Sequence, residues 1–136
     1  MSRGVCAAAL AGLALGLSPA QAAPLLRCEI ESTGEHRVVE ARLTDDPYRV
    51  APVAVNRHFR FRAWLVSDDD APGAVVARVL VQWVGETGPV PLQQASYRAA
   101  RPAPAEAPSL TGLQWLYSPV RERRFAYECR LLEVAP

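Results

Sequence analysis

The sequence predicts an all-β chain, a single β-sandwich of about seven short strands. Three observations carry this. Apolar residues recur with period two, as where Phe59, Phe61, Ala63 and Leu65 alternate with Arg60, Arg62 and Trp64. Clusters of Gly, Pro, Asp and Ser break these runs about every eight to twelve residues. No segment carries an apolar stripe of period 3.6 long enough for an ordinary helix. A partly closed β-barrel is the alternative arrangement of the same strands.

The elements follow in order. Leu26, Cys28 and Ile30 alternate with Arg27, Glu29 and Glu31 in a half-buried strand, and Thr33-Gly34-Glu35 supplies the turn after it. Val39, Ala41 and Leu43 form the apolar side of a second strand, which ends at Thr44-Asp45-Asp46-Pro47. Residues 50–55 read as a short strand; Pro52 has no N–H to donate and so confines it to a sheet edge. The strand through Phe59 and Leu65 stops in the polar loop 67–73.

Residues 75–84 are β-branched and mostly apolar on both faces, the pattern of a central strand. Gly85 to Gly88 turns the chain, and Pro89 and Pro91 place the next strand, 92–97, at an edge. Pro102, Pro104 and Pro108 mark residues 101–108 as an extended, exposed loop. Residues 113–117 form a short apolar strand. Ser118-Pro119 followed by Val120-Arg121-Glu122 reads as one helical turn, with Ser as cap and Pro in its first position. Phe125, Tyr127, Cys129 and Leu131 then alternate with charged and small residues in the last strand.

Residues 1–22 read as a cleavable export signal. Arg3 is a minimal positive region, residues 5–17 are a 13-residue apolar stretch, Ser18-Pro19 breaks it, and Ala20-Gln21-Ala22 has the small-x-small pattern of a cleavage site. The stretch is shorter than the roughly 20 residues a membrane helix needs. Cys6 leaves with the signal, no second long apolar run follows, and no transmembrane segment is expected in the remainder. Removing 22 residues from 136 leaves 114, which form one domain, residues 23–136. The expected location is the periplasm or the medium.

Two cysteines remain, Cys28 and Cys129, near the two ends of that domain. In an oxidising compartment they allow one intramolecular bridge. Their spacing fits no redox or zinc motif, so a structural disulfide is the expectation. Each lies on the apolar side of its strand, so the bridge is expected in the core. It either links two packed sheets or ties the first strand to the last. The Tyr127-Glu128-Cys129 spacing resembles the end of the immunoglobulin pattern, where a Tyr stands two residues before the second Cys. The resemblance implies an immunoglobulin-like general architecture and no functional residues.

The charge of the 114 residues is balanced, 14 Arg against 14 Asp plus Glu, and no basic residue is Lys. Such a balance gives no global attraction to nucleic acid. Exclusive use of Arg beside abundant Ala, Pro and Val is what GC-rich coding produces, which lowers the value of the Arg count as a functional signal.

Few residues offer chemistry. Arg60, Arg62 and Trp64 share one face of one strand, with Arg57 just before it; two guanidinium groups beside an indole suit an anionic or glycan ligand. The competing reading is a solvated face paired with Glu29, Glu31 or Glu40. Asp68-Asp69-Asp70 is the densest carboxylate cluster, but adjacent side chains do not converge on one ion, and a solvated turn fits better. His36 and His58 lie in no metal-ligand spacing, so neither a metal site nor a cofactor is expected. Trp115 and Tyr117 form either core or an exposed aromatic edge that docks a partner.

Three functions remain. The first is an exported, non-enzymatic interaction module with an envelope or periplasmic protein partner, contacting it through Arg60, Arg62 and Trp64 or through residues 113–117. The second is a binding domain for a small anionic or glycan ligand. The third is a small hydrolase built on His58 and a carboxylate of residues 68–70.

Overall fold

The computed structural model describes residue 16 and residues 22–100 and 108–134. All but residues 16 and 22 of the expected export signal, and all but residue 108 of the Pro-rich stretch at 101–108, lie outside the described residues.

Eight strands form two four-stranded sheets. They are β1 (Ala23–Ser32), β2 (Glu35–Arg42), β3 (Val53–Ala54), β4 (Phe59–Ser67), β5 (Val75–Gly85), β6 (Gly88–Ala99), β7 (Gln114–Tyr117) and β8 (Arg124–Val134). One sheet has the order β2-β1-β8-β7 and the other β3-β4-β5-β6. Every strand pairing is antiparallel. The two sheets pack face to face without closing into a barrel, so the chain is an all-β sandwich.

Period-two patterning decides what is inside. Leu26, Cys28 and Ile30 of β1 and Phe59, Phe61, Ala63 and Leu65 of β4 are all buried, as are Val75, Ala77, Val79 and Val81 of β5. The centre is aromatic. Phe125 lies 5.1 Å from Phe59 and 6.1 Å from Phe61, and Tyr127 lies 5.5 Å from Phe61, ring centre to ring centre. Tyr127 is fully buried yet its hydroxyl is satisfied: it donates to Gln93 Oε1 at 2.6 Å and lies 3.1 Å from the Tyr97 hydroxyl. Burial, followed by the Tyr97 contact, holds the phenol far above its ordinary 10.

The disulfide joins Cys28 to Cys129. These residues are direct cross-strand partners, with Cα atoms 4.0 Å apart. The bridge therefore ties first strand to last within one sheet and does not span the two sheets. Here the likeness to the immunoglobulin pattern, whose bridge crosses between sheets, stops at general architecture. The Cys129 backbone bonds away from β1: its N–H donates to Thr111 Oγ1 at 2.9 Å and its carbonyl accepts from Leu110 N at 2.8 Å. That leaves the two cysteines a non-hydrogen-bonded pair, whose close Cα approach suits a direct bridge.

Three local expectations change. The helical turn after Ser118 is absent; the Ser118 hydroxyl donates to Val120 O at 2.7 Å and accepts from Arg123 N at 3.0 Å, closing a hairpin. Arg121 and Glu122 take φ of 62° and 42° there, which a helix forbids. The strand expected at 92–97 runs over 12 residues, Gly88–Ala99, through both prolines, because an edge strand needs no N–H from them on its open side. Leu92 is the extra residue of a bulge there, since Val81 pairs with Gln93 and Gln82 with Pro91. The strand expected over 50–55 shrinks to Val53–Ala54, at the edge as Pro52 requires.

The segment between β2 and β3 crosses from one sheet to the other. Thr44 N donates to Leu65 O at 2.9 Å, and Pro47–Arg49 form one 3₁₀ turn. It runs beside β4 and covers part of its outer side.

Candidate functional site

Three surfaces bring chemistry-bearing residues together. The first is the outer face of β4. Arg60, Arg62 and Trp64 do share it, in register with Gln82, Leu80 and Arg78 of β5. Arg62 is already engaged. Its Nε donates to Val50 O at 2.7 Å and its Nη2 to Pro47 O, so it holds the crossing segment down. Its guanidinium stacks over Trp64 at 4.3 Å from the ring centre. Trp64 is only 6% exposed and forms the floor of a groove of about 880 Å³. Arg60 is exposed at the other end of the row. The three residues thus act separately: one exposed cation, one clamp and one covered indole.

The polar rim of that groove comes from the β4–β5 turn. Asp68 is 5% exposed at its side chain, 3.6 Å from Arg98, and its Oδ1 accepts from Asp70 N at 3.1 Å. Asp70 lies 3.5 Å from the same Arg98. This is turn chemistry plus an ion pair. No group of three or more His, Cys, Asp or Glu converges on a metal position among the described residues. His58 precedes β4 and residues 68–70 follow it, so the nine-residue strand separates them by about 30 Å. The hydrolase pairing does not form.

The second surface is the β7 edge. Trp115 is 47% and Tyr117 58% exposed; they project on the outer side, cross-strand from Ala126 and Arg124. The Arg124 guanidinium lies 4.7 Å from the Trp115 ring centre and 3.8 Å from Glu31. Leu113 and Val120 extend the exposed apolar strip at either end. Leu116, between the aromatics, turns inward and packs on the core. Both aromatics stand out because β7 has the parity of the sheet: Leu116 pairs with the buried Phe125.

The four sheet edges differ. β2 carries Glu35, Arg37, Glu40 and Arg42, β6 carries Pro89 and Pro91, and β3 is two residues long. Charges, prolines and shortness all discourage pairing with another chain. β7, Gln114–Tyr117, has neither charge nor proline. No strand pairs with its outer side among the described residues.

The third surface is a cavity of about 480 Å³ at one end of the sandwich, lined in part by Arg37, Asn56, Arg57, His58 and Arg123. It was not legible as a site, because its residues come from three separate connections. His58 N and Phe59 N donate to Asn56 Oδ1 at 2.8 and 3.0 Å, and Asn56 Nδ2 donates to Ser32 Oγ and Thr33 Oγ1. Burial, then the positive charges of Arg123, Arg57 and Arg121, holds the His58 imidazole below its ordinary 6.5. A depressed imidazole favours the native state in its neutral form. Its contribution is complete above pH 6.5 and fades as pH falls below that value. In an NMR titration the His58 ring midpoint is expected below 6.5, and Arg123→Gln is expected to move it upward.

Comparison with protein-family models, with curated proteins and with solved structures finds no match for this chain.

Proposed function

We propose that the chain is an exported, non-enzymatic interaction module. It binds an extended segment of an envelope or periplasmic protein along β7. The observation that carries this reading is the edge of β7, which no strand covers among the described residues and which is flanked by Trp115 and Tyr117 and backed by Arg124. An added strand pairs with the free N–H and C=O groups of such an edge, and exposed aromatics with an arginine supply the side-chain energy. Export is supported by the leader-like first 22 residues and by the buried disulfide, which an oxidising compartment maintains.

The test is affinity purification of the tagged chain, expressed with its own leader, from cross-linked cells. A stoichiometric protein partner is expected with the parent chain. It is expected to be lost, by about tenfold or more, with Trp115→Ala plus Tyr117→Ala, a pair of truncations at interface aromatics. Both residues are half-exposed, so the variant keeps its melting behaviour. Undiminished recovery with the double variant would refute the assignment of this edge.

A further inference from the structure

The cavity at the end of the sandwich holds more positive charge than its surroundings balance. Arg37 approaches Glu35 at 3.9 Å, with both side chains about half exposed. Arg57, Arg121 and Arg123 have no carboxylate within ion-pair distance among the described residues. Arg57 and Arg123 line the cavity, and Arg121 lies two residues before Arg123 and acts on the same imidazole. The cavity lining thus carries Arg37, Arg57 and Arg123 against one carboxylate, Glu35, and Arg121 adds its charge at His58 from outside that lining.

We propose that this cavity binds a tetrahedral oxyanion, the terminal phosphate group of a small ligand or headgroup. The backbone that carries Arg57 and His58 is fixed in advance. Asn56 Oδ1 accepts their following N–H groups, and Val84 N donates to His58 O at 2.8 Å. Arg57 Nε donates to His58 Nε2 at 3.1 Å, which holds the ring neutral and leaves the terminal guanidinium nitrogens to point elsewhere. Guanidinium forks match the oxygen spacing of phosphate and sulfate and bind them through paired hydrogen bonds. Charge decides between anion classes. With Arg37, Arg57 and Arg123 set against Glu35, the lining has two positive charges in excess; a carboxylate leaves one of them uncompensated, whereas a dianion matches both. A volume of about 480 Å³ also admits atoms beyond the anionic group itself.

This site is distinct from the β7 edge and does not depend on it. The experiment is an NMR titration of the chain with inorganic phosphate and with sulfate at fixed ionic strength, with acetate as the monoanionic control. The His58 ring and the arginine side-chain signals report binding. Saturable shifts with phosphate or sulfate are expected, weaker by about tenfold or more in Arg57→Gln, in Arg123→Gln and most in the double variant. Arg60→Gln is expected to leave them unchanged. Vesicles of phosphatidylcholine with phosphatidic acid separate the sources: binding that inorganic phosphate displaces marks a headgroup, and phosphate saturation without vesicle binding marks a soluble ligand. Shifts that stay linear with concentration would overturn the proposal. So would saturation that survives both arginine substitutions, or a preference for acetate.

Discussion

Replacing Cys28 and Cys129 together by alanine is expected to lower stability by about 2–5 kcal/mol. The bridge closes a loop with a sequence separation of 101 residues, for which the chain-entropy model gives about 4–5 kcal/mol. Because it joins neighbouring strands of one sheet, it restrains chiefly the unfolded chain. The pairing of β1 with β8 also rests on eight further residue pairs and persists without it. The variant therefore keeps the β signal in circular dichroism while its melting temperature falls by about 10–20 °C. A fall of only a degree or two would mean that the first and last strands are held together in the unfolded ensemble by something else.

The second large effect is expected at Phe125. Its ring meets those of Phe59, Phe61 and Tyr127, and it is fully buried. Phe125→Ala removes the one residue of β8 that touches all three, and leaves a cavity between the sheets. The cost is expected to be about 3–5 kcal/mol, read as a lower urea midpoint with little change in slope. Val38→Ala on the exposed outer side of β2 is the control, expected within about 0.5 kcal/mol of the parent. A small effect at Phe125 would contradict the packing of β8 against β4.

The sandwich was legible because period two assigns each residue to a face. Leu26, Cys28, Ile30, Phe59, Phe61, Tyr127 and Cys129 lie inside, as the alternation requires. Lateral order was not legible. Face assignment puts both cysteines inward without saying that they are neighbours in one sheet. Trp64 shows the same limit. Parity turns it outward, yet the segment after β2 crosses above it and covers it. Where that segment runs is a matter of topology. Arg62 looked like a ligand contact because the carbonyls of Pro47 and Val50 were not visible as its partners.

Of the candidate surfaces, the aromatic edge was partly legible. The alternation of Trp115 and Tyr117 about Leu116 put both on one side, but not which side. The end cavity was hidden altogether. Arg37, Arg57 and Arg123 meet only because the β1–β2 hairpin, the turn before β4 and the β7–β8 hairpin close the same end of the fold. Local sequence around each shows an ordinary surface arginine. The Ser118 turn failed for a related reason. The cap signal of Ser118-Pro119 is real, but pairing of β7 with β8 claims the same hydroxyl to close a hairpin.

The most direct test is site-specific photocrosslinking in cells that express the chain with its own first 22 residues. A photoreactive amino acid is placed at Tyr117 on the β7 edge, and separately at Gln94, exposed on β6 of the other sheet. The account predicts one discrete protein adduct from position 117, absent from position 94 and suppressed by Trp115→Ala. Equal adducts from both positions, or an adduct from position 94 alone, would contradict it.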